Sequence, residues 1–265
     1  MIKDITLGQY YPVESLVHRL EARSKVLGVL AYLVGLFVVN NFWGFVIAAV
    51  AVGTVIKLSG VPFSYMMRGL KAILLILLFT MVLNVFMMDG TILWQWKFLK
   101  ITYEGLYRAA FMGIRLVLLI IGTSLLTFCT KPTELTDGLE KLLSPFARVG
   151  LPAHEIALMM TIALRFIPVL MDEADKIMKA QQSRGADFES GNIFQRAKSL
   201  IPIIVPLFVS SFRIAGDLAL AMEARCYRGG NGRTKLKESR FAKRDAVWGI
   251  ALMVFLCALF ATRYI

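Results

Sequence analysis

The stretch "AVWGIALMVFLCALFAT" at residues 246–262 decides the class of fold. It carries no charged residue, and an uncharged apolar run of about 17–25 residues can cross the hydrocarbon core of a bilayer as a helix. The whole chain of 265 residues is 57% hydrophobic and has a mean hydropathy of +0.66. Soluble domains have a lower apolar share. The sequence therefore predicts a polytopic membrane protein.

Four more apolar runs precede this stretch. Together the five runs predict an all-α fold with about five transmembrane helices, at 24–39, 42–58, 69–88, 109–129 and 246–262. The region between the last two runs holds 18 of the 30 basic residues and 13 of the 18 acidic residues. The expected organisation is an N-terminal segment with four transmembrane helices (1–129), a cytoplasmic region (130–245) and a last transmembrane helix (246–265).

The basic residues also predict the orientation of the chain. Lysines and arginines cluster in the N-terminal segment and between the second and third runs, whereas the 89–107 connection is nearly balanced in charge. Because cytoplasmic loops carry the excess of basic residues, the N-terminus is expected in the cytoplasm and the 89–107 connection outside. Trp94 and Trp96 in that connection are residues that favour the membrane interface.

The 130–245 region is expected to contain three amphipathic helices. A short helix is predicted at 133–147 with Thr133 as its N-cap, and two long helices at 155–184, bent near Pro168, and at 203–225. Apolar residues recur at three- and four-residue steps in both long helices, while most charges lie off these stripes. Helices of this kind lie along a membrane surface or pack against each other with a polar side free.

The two long helices end in similar sequences, "MKAQQSRGADF" (178–188) and "AMEARCYRGG" (221–230). Each places a small residue before an arginine, as Ser183-Arg184-Gly185 and as Ala224-Arg225-Cys226. One interpretation is that the two arginines only finish two helices, because glycine and basic residues favour a helix C-terminus. The other is that the pair forms two equivalent contacts with carboxylates of a partner, or of two similar partners.

Three stretches resemble one known family. "ALRFIPVLMDEADKIMKAQQSRGADF" (163–188) and "AMEARCYRGGNGRT" (221–234) are similar to the two signature regions of the transmembrane T component of energy-coupling factor (ECF) transporters, the EcfT/CbiQ family. "ESLVHRLEARSKVLG" (14–28) is similar to that family's entry into its first span. The resemblance implies a non-enzymatic scaffold in the bacterial cell membrane. It would join two ABC-type ATPase subunits to a small membrane-embedded S component that binds a vitamin or another micronutrient.

The resemblance also implies roles for single residues. It puts Ser183, Arg184 and Gly185 in a groove of one ATPase, and it puts three residues in a groove of the other: Ala224, Arg225 and Cys226. The family motif has alanine where this chain has Ser183 and glycine where it has Cys226, which leaves the backbone turn at the second site open. The apolar faces of the long helices are expected to contact the S component through Met159, Met160, Phe166, Met171, Leu207 and Leu218.

Other chemistry has little support in the sequence. No phosphate-binding GxxxxGK[ST] loop, HExxH or GxSxG motif is present. The three cysteines and two histidines are scattered (Cys129, Cys226, Cys257, His18 and His154), so neither a metal site nor a cofactor is expected. The net charge of +12 fits cytoplasmic loops near membrane lipid rather than a nucleic-acid partner.

One charged residue and one alternative function stay open. Arg115 lies about two turns into the fourth run, where an arginine is either functional or paired with a neighbouring helix; the sequence favours the structural role. The alternative function is a self-contained secondary transporter or channel, which predicts inverted repeats and polar residues at mid-membrane depth. Neither feature is clear in this chain.

Overall fold

The structure is a computed structural model that describes residues 10–87, 90–96, 99–150, 152–188, 192–229 and 241–262. Within these ranges the regular secondary structure is helical apart from one β-hairpin. Its α-helices are α1 (Ala22–Val38), α2 (Phe42–Ser59), α3 (Phe63–Met87), α4 (Tyr103–Cys129), α5 (Pro132–Leu143), α6 (Ala153–Ser183), α7 (Ile193–Ser199), α8 (Ile201–Ala224) and α9 (Lys243–Ala261).

The helical architecture confirms the all-α prediction, and the connection between α3 and α4 adds one short hairpin. Strands β1 (Ile92–Trp96) and β2 (Leu99–Thr102) pair antiparallel in the connection between α3 and α4. Both strands are rich in the β-branched and aromatic residues that favour strands. The predicted placement of the Trp94 and Trp96 side chains at the membrane interface lies outside the described side chains.

Two helix starts differ from the sequence prediction for a local reason. α4 begins at Tyr103 because Thr102 caps it, with Thr102 Oγ1 accepting a hydrogen bond from the Gly105 N–H at 3.2 Å. α5 begins at Pro132, so Thr133 is the second residue of the helix and not its N-cap. Proline suits a first helical position because its missing N–H would have no partner there. A 3₁₀ turn at Ser144–Val149 then continues the chain.

Five described helices are long and apolar enough to cross a membrane: α2, α4, α6, α8 and α9. The number agrees with the five predicted spans, but the set differs. The helix at the first predicted span, α1, has 17 residues, and in α3, which has 25 residues, the described side chains give the apolar stretch Ile73–Met87. The two long helices predicted to be amphipathic, α6 and α8, pass the length and composition test instead.

The chain divides into two compact units. The bundle unit comprises Gly8–Gly138 and Glu238–Ile265, and the long-helix unit contains Leu139–Lys237. The boundaries of the cytoplasmic region predicted at residues 130 and 245 remain a prediction.

The bundle unit is built around α1, which packs against α2, α4 and α9. Its most deeply buried side chains include Leu36, Val39, Phe128 and Leu259. Helices approach closely at Gly122, where an added Cβ would lie 2.2 Å from Cε1 of Tyr32. The absence of a side chain at Gly122 therefore lets the Tyr32 ring pack on α4, where its hydroxyl donates to the Leu118 carbonyl at 2.8 Å.

Polar contacts close one end of this bundle. The Asp245 carboxylate accepts hydrogen bonds from the backbone N–H groups of Glu21 and Ala242, both at 2.9 Å. The buried Lys25 donates through Nζ to the carbonyls of Cys129 at 2.8 Å and His18 at 3.0 Å. These contacts hold the start of α9 and the end of α4 against the segment that leads into α1.

Candidate partner-binding sites at two helix ends

The long-helix unit is organised by α6 and α8, which run antiparallel. Gln181 Nε2 near the end of α6 donates to the Pro202 carbonyl near the start of α8 at 3.3 Å. Farther along, Ser210 Oγ donates to Glu173 Oε1 at 3.4 Å. The C-terminal ends of the two helices therefore point in opposite directions. Because α8 has 24 residues, a rise of 1.5 Å per residue separates these ends by about 35 Å.

The end of α6 has a backbone turn that satisfies its last carbonyls. The Gly185 N–H donates to the Gln182 carbonyl and the Ala186 N–H to the Gln181 carbonyl, both at 3.0 Å. Gly185 has φ +87°, the left-handed conformation that this helix-ending motif requires. Arg184 is thereby fixed as the last residue before the chain turns away from the helix.

The end of α8 repeats this turn with a cysteine in place of the glycine. The Cys226 N–H donates to the Glu223 carbonyl at 2.8 Å and the Tyr227 N–H to the Met222 carbonyl at 3.0 Å. Cys226 has φ +54° and is the non-glycine residue with positive φ in the described part of the chain. The departure from glycine therefore keeps the backbone turn, and Arg225 occupies the same position as Arg184.

Both arginines are presented in similar surroundings. Arg184 and Arg225 are exposed, and neither forms an ion pair with a residue that the structure describes. Alanines four residues earlier in each helix, Ala180 and Ala221, are also exposed. The Ser183 hydroxyl donates to the Lys179 carbonyl at 3.1 Å, so its hydrogen bond is satisfied within the helix. Each end thus presents a free guanidinium beside small side chains.

The second end is anchored by a small polar cluster that the sequence did not reveal. Tyr227 Oη lies 3.4 Å from Nε2 of His154, whose Nδ1 lies 2.8 Å from Glu140 Oε1. Tyr227 directly follows the left-handed Cys226. The cluster connects this turn to α5 and to the start of α6, and it gives His154 a structural role.

The residues predicted to contact a membrane partner differ in exposure. Met159 and Met160 on α6 are exposed, at 60% and 39%. The other four are half-buried: Phe166, Met171, Leu207 and Leu218. Leu207 lies on the same side of α8 as the buried Ile203 and Ser210, and Ser210 contacts α6.

α8 also has an exposed apolar face, on the side opposite Leu207, which was not predicted from the sequence. It comprises Ile201, Ile204, Val205, Phe208, Val209 and Phe212, all of them exposed, and Phe212 is 75% exposed. Their three- and four-residue spacing was a visible signal. The sequence of α8 is apolar on two sides, and periodicity alone does not tell which side packs against α6.

Arg115 takes a structural position in the bundle unit. Its guanidinium donates to the carbonyl of Val39, just past the end of α1. It also lies 5.0 Å from the ring centroid of Phe111 and 5.8 Å from that of Phe45, within the range of cation–π contacts.

Within the described ranges, no group of three or more His, Cys, Asp or Glu side chains could hold a metal ion.

Comparison with known proteins identifies the family of this chain. The profile of the CbiQ family, described as "Cobalt transport protein", matches residues 13–236. Three similar relatives are each named "Energy-coupling factor transporter transmembrane protein EcfT". The protein from Clostridium kluyveri is 57% identical over 99% of this chain and 98% of its own length. The protein from Thermosediminibacter oceani is 53% identical over the full length of both chains, and that from Bacillus subtilis is 45% identical over 99% of this chain and 100% of its own.

These matches cover nearly the whole chain, including both arginine ends in the case of the three relatives. They agree with the apolar helices of the fold. The chain is a multi-pass membrane protein and belongs to the CbiQ family, which confirms the resemblance found in its sequence.

Proposed function

We propose that this chain is the transmembrane scaffold of an ECF-type transporter, and that Arg184 and Arg225 seat in two partner ATPases. The observation that carries the proposal is the pair of matching helix ends. Two exposed arginines end two antiparallel helices in the same backbone turn, about 35 Å apart by the rise of an α-helix. One protein domain would rarely reach both ends, whereas two similar ATPase subunits would each receive one.

The guanidinium groups suit this role chemically. Arginine presents a planar set of donors that pairs with a carboxylate in two parallel hydrogen bonds. The small side chains at positions 180, 183, 221 and 224 allow a partner surface to approach the helix closely. ATP binding and hydrolysis would then take place in the partner subunits, and this chain would transmit their movement.

The apolar surfaces suggest the second kind of partner. Met159 and Met160 on α6 and the exposed face of α8 offer apolar surface that a membrane-embedded S component can contact. Flexible methionine side chains adapt to different partners. Phe166, Met171, Leu207 and Leu218 remain predicted contacts, and their half-buried positions suggest that they support this surface from the side.

The orientation of the chain is part of the same proposal. We place the N-terminus and both arginine ends in the cytoplasm of a bacterial cell, where ATP is available. The excess of basic residues in these segments supports this choice. The charged last half of α6, which contains Asp172, Asp175 and Lys179, favours a position at the membrane surface over one that crosses the bilayer. The nature of the transported micronutrient would be set by the S component.

Co-purification tests the ATPase contacts. Tagged wild-type chain, co-expressed with candidate ABC ATPases, should bring down two ATPase subunits. Arg184→Glu and Arg225→Glu should each lose one subunit, and the double variant should lose both. Arg165→Glu and Arg213→Glu are matched controls, because these arginines are also exposed on α6 and α8 but lie away from the ends. Normal assembly of the double variant would refute the proposal.

A second assay separates this proposal from a self-contained secondary transporter or channel. The described core of the bundle unit is apolar, and Arg115 is engaged at the end of α1. We therefore expect no micronutrient uptake by proteoliposomes that contain this chain alone. Uptake driven only by an ion gradient in such proteoliposomes would favour the alternative.

A further inference from the structure

The bundle unit contains an apolar groove of about 610 Å³. α1, α2, α4 and α9 line it at the end of the bundle where α1 and α9 begin and where α2 and α4 end. Its apolar wall includes Leu58, Leu126, Val247, Ala251 and Phe255. The volume falls in the range of about 300–1,000 Å³ found for small-molecule sites.

The length of the groove matches one leaflet of a bilayer. Its lining extends along α9 from Lys243 to Phe255, which corresponds to about 18 Å of helix. Half of the hydrocarbon core of a bilayer is about 15 Å thick. Exposed residues such as Leu16, Leu58 and Val247 stand at its margin, so lipid can reach the groove from the side.

The charge of the groove is positive. Lys25, Lys243 and Arg244 line it, and no acidic residue does so in the described part of the chain. Lys243 and Arg244 are exposed in the first turn of α9, whereas Lys25 is only 4% exposed. Lys25 donates to two carbonyls and has no ion pair with a described residue. The carboxylate of the adjacent Asp245 is engaged with two backbone N–H groups and does not line the groove.

An unpaired donor lies one turn deeper. The indole Nε1 of Trp248 is buried and has no hydrogen-bond partner among the described residues. Trp248 lines the groove four residues after Arg244, on the same side of α9. The Nε1 atom packs against α1, where an added Cβ at Gly28 would lie 2.8 Å from it, so the indole ring forms the inner wall of the groove.

We propose that this groove binds an anionic phospholipid. One acyl chain lies along the apolar wall, and the phosphate lies beside Lys243 and Arg244, where the N-terminal end of α9 also favours negative charge. A zwitterionic lipid would bring its own cation to this basic mouth, so the anionic lipid is preferred. The site is independent of the proposed ATPase contacts.

Quenching of Trp248 fluorescence tests this site in the full chain. Of the four tryptophans, Trp43, Trp94 and Trp96 are replaced by Phe so that Trp248 is the reporter. The protein is placed in phosphatidylcholine vesicles that contain rising fractions of brominated phosphatidylglycerol or, in parallel, brominated phosphatidylcholine. We expect brominated phosphatidylglycerol to reach half-maximal quenching at a fraction at least about tenfold lower than brominated phosphatidylcholine does. Each membrane-proximal cation strengthens anionic lipid binding about fivefold.

Two variants and their matched control decide the result. Lys243→Gln with Arg244→Gln should remove the preference for phosphatidylglycerol, and Ala251→Phe should weaken quenching by filling the groove. Ala246→Phe lies on the same helix, is exposed and does not line the groove, so it should change nothing. Millimolar inorganic phosphate should leave the preference intact, because the acyl chain contributes to binding.

Three outcomes would overturn the proposal. The first is equal quenching by the two brominated lipids in the wild-type background. The second is an unchanged preference for phosphatidylglycerol in the Lys243→Gln, Arg244→Gln variant. Both positions are exposed, so the variant should fold, and its size-exclusion elution profile checks this. The third is competition by inorganic phosphate, which would identify a phosphate site without a lipid chain.

Discussion

The strongest prediction concerns the turn at Gly185. Replacement by alanine should open the end of α6, because Gly185 has φ +87° and alanine is strained in that conformation. No heavy atom lies within 4 Å of an added Cβ at this position, so the effect is conformational and involves no steric clash.

The size of the effect follows from two opposing terms. A left-handed conformation costs an L-residue roughly 1–2 kcal/mol, whereas replacing glycine by alanine recovers about 0.4–1 kcal/mol by restricting the open chain. The turn should therefore lose about 1 kcal/mol, which is about a fivefold change in its opening equilibrium. Gly185→Asn should lose less, because asparagine tolerates this conformation better.

Hydrogen exchange measured by mass spectrometry reads this equilibrium directly. The amides of Gly185 and Ala186 donate to helix carbonyls, and they should exchange about fivefold faster in Gly185→Ala. Gly216→Ala is the matched control: Gly216 lies inside α8, where an added Cβ also meets no atom within 4 Å, and alanine favours a helix interior.

The opposite change is expected at the other helix end. Cys226 holds the left-handed position of the second turn, so Cys226→Gly should slow exchange of the Tyr227 amide up to about fivefold. The reasoning would be refuted if Gly185→Ala left exchange unchanged, or if Gly216→Ala accelerated exchange as much as Gly185→Ala.

Three further predictions follow from other contacts. His154→Ala should accelerate exchange at the turn before Tyr227 but not at the end of α6, because the hydrogen bond to Tyr227 is lost. Gly122→Leu should reduce the free energy of unfolding by the overpacking cost of about 1–3 kcal/mol and so lower the thermal midpoint of the purified protein, since an added Cβ would collide with Tyr32. Tyr32→Ala in the same chain should restore part of the loss. Burial lowers the pKa of His18, so the folded protein favours the neutral imidazole. The stability of the fold should therefore decrease as the pH drops below about 6.5. In thermal unfolding between pH 5 and 7, His18→Gln should make the midpoint less dependent on pH.

Much of the fold could be predicted from the sequence because it depends on long apolar runs. The residues of 42–58 and 246–262 have few alternatives to a membrane helix. The hairpin at 92–102 was not predictable in the same way, since its strands are only five and four residues long and short segments carry a weak periodic signal.

The arginine ends could be located from sequence because a small residue followed by an arginine recurs at the ends of both long helices. The turn at Cys226 could not, because the left-handed conformation is unusual for cysteine and becomes apparent only from the backbone. The exposed apolar side of α8 had a visible spacing in the sequence, but the sequence could not tell which side of the helix packs against α6. Leu207 and Phe208 are neighbours of similar hydrophobicity, and only packing against α6 distinguishes them.

The antiparallel arrangement of α6 and α8 has a consequence for symmetry. Two antiparallel helices are related by a local two-fold axis perpendicular to them. The axis that is equally far from Arg184 and from Arg225 passes near the contact of Ser210 with Glu173. Rotation by half a turn about it exchanges the two arginines, each about 18 Å away, which is half of their separation by helix rise. A pair of ATPases with its own two-fold symmetry can therefore meet both ends in equivalent ways, whether the two subunits are identical or only similar.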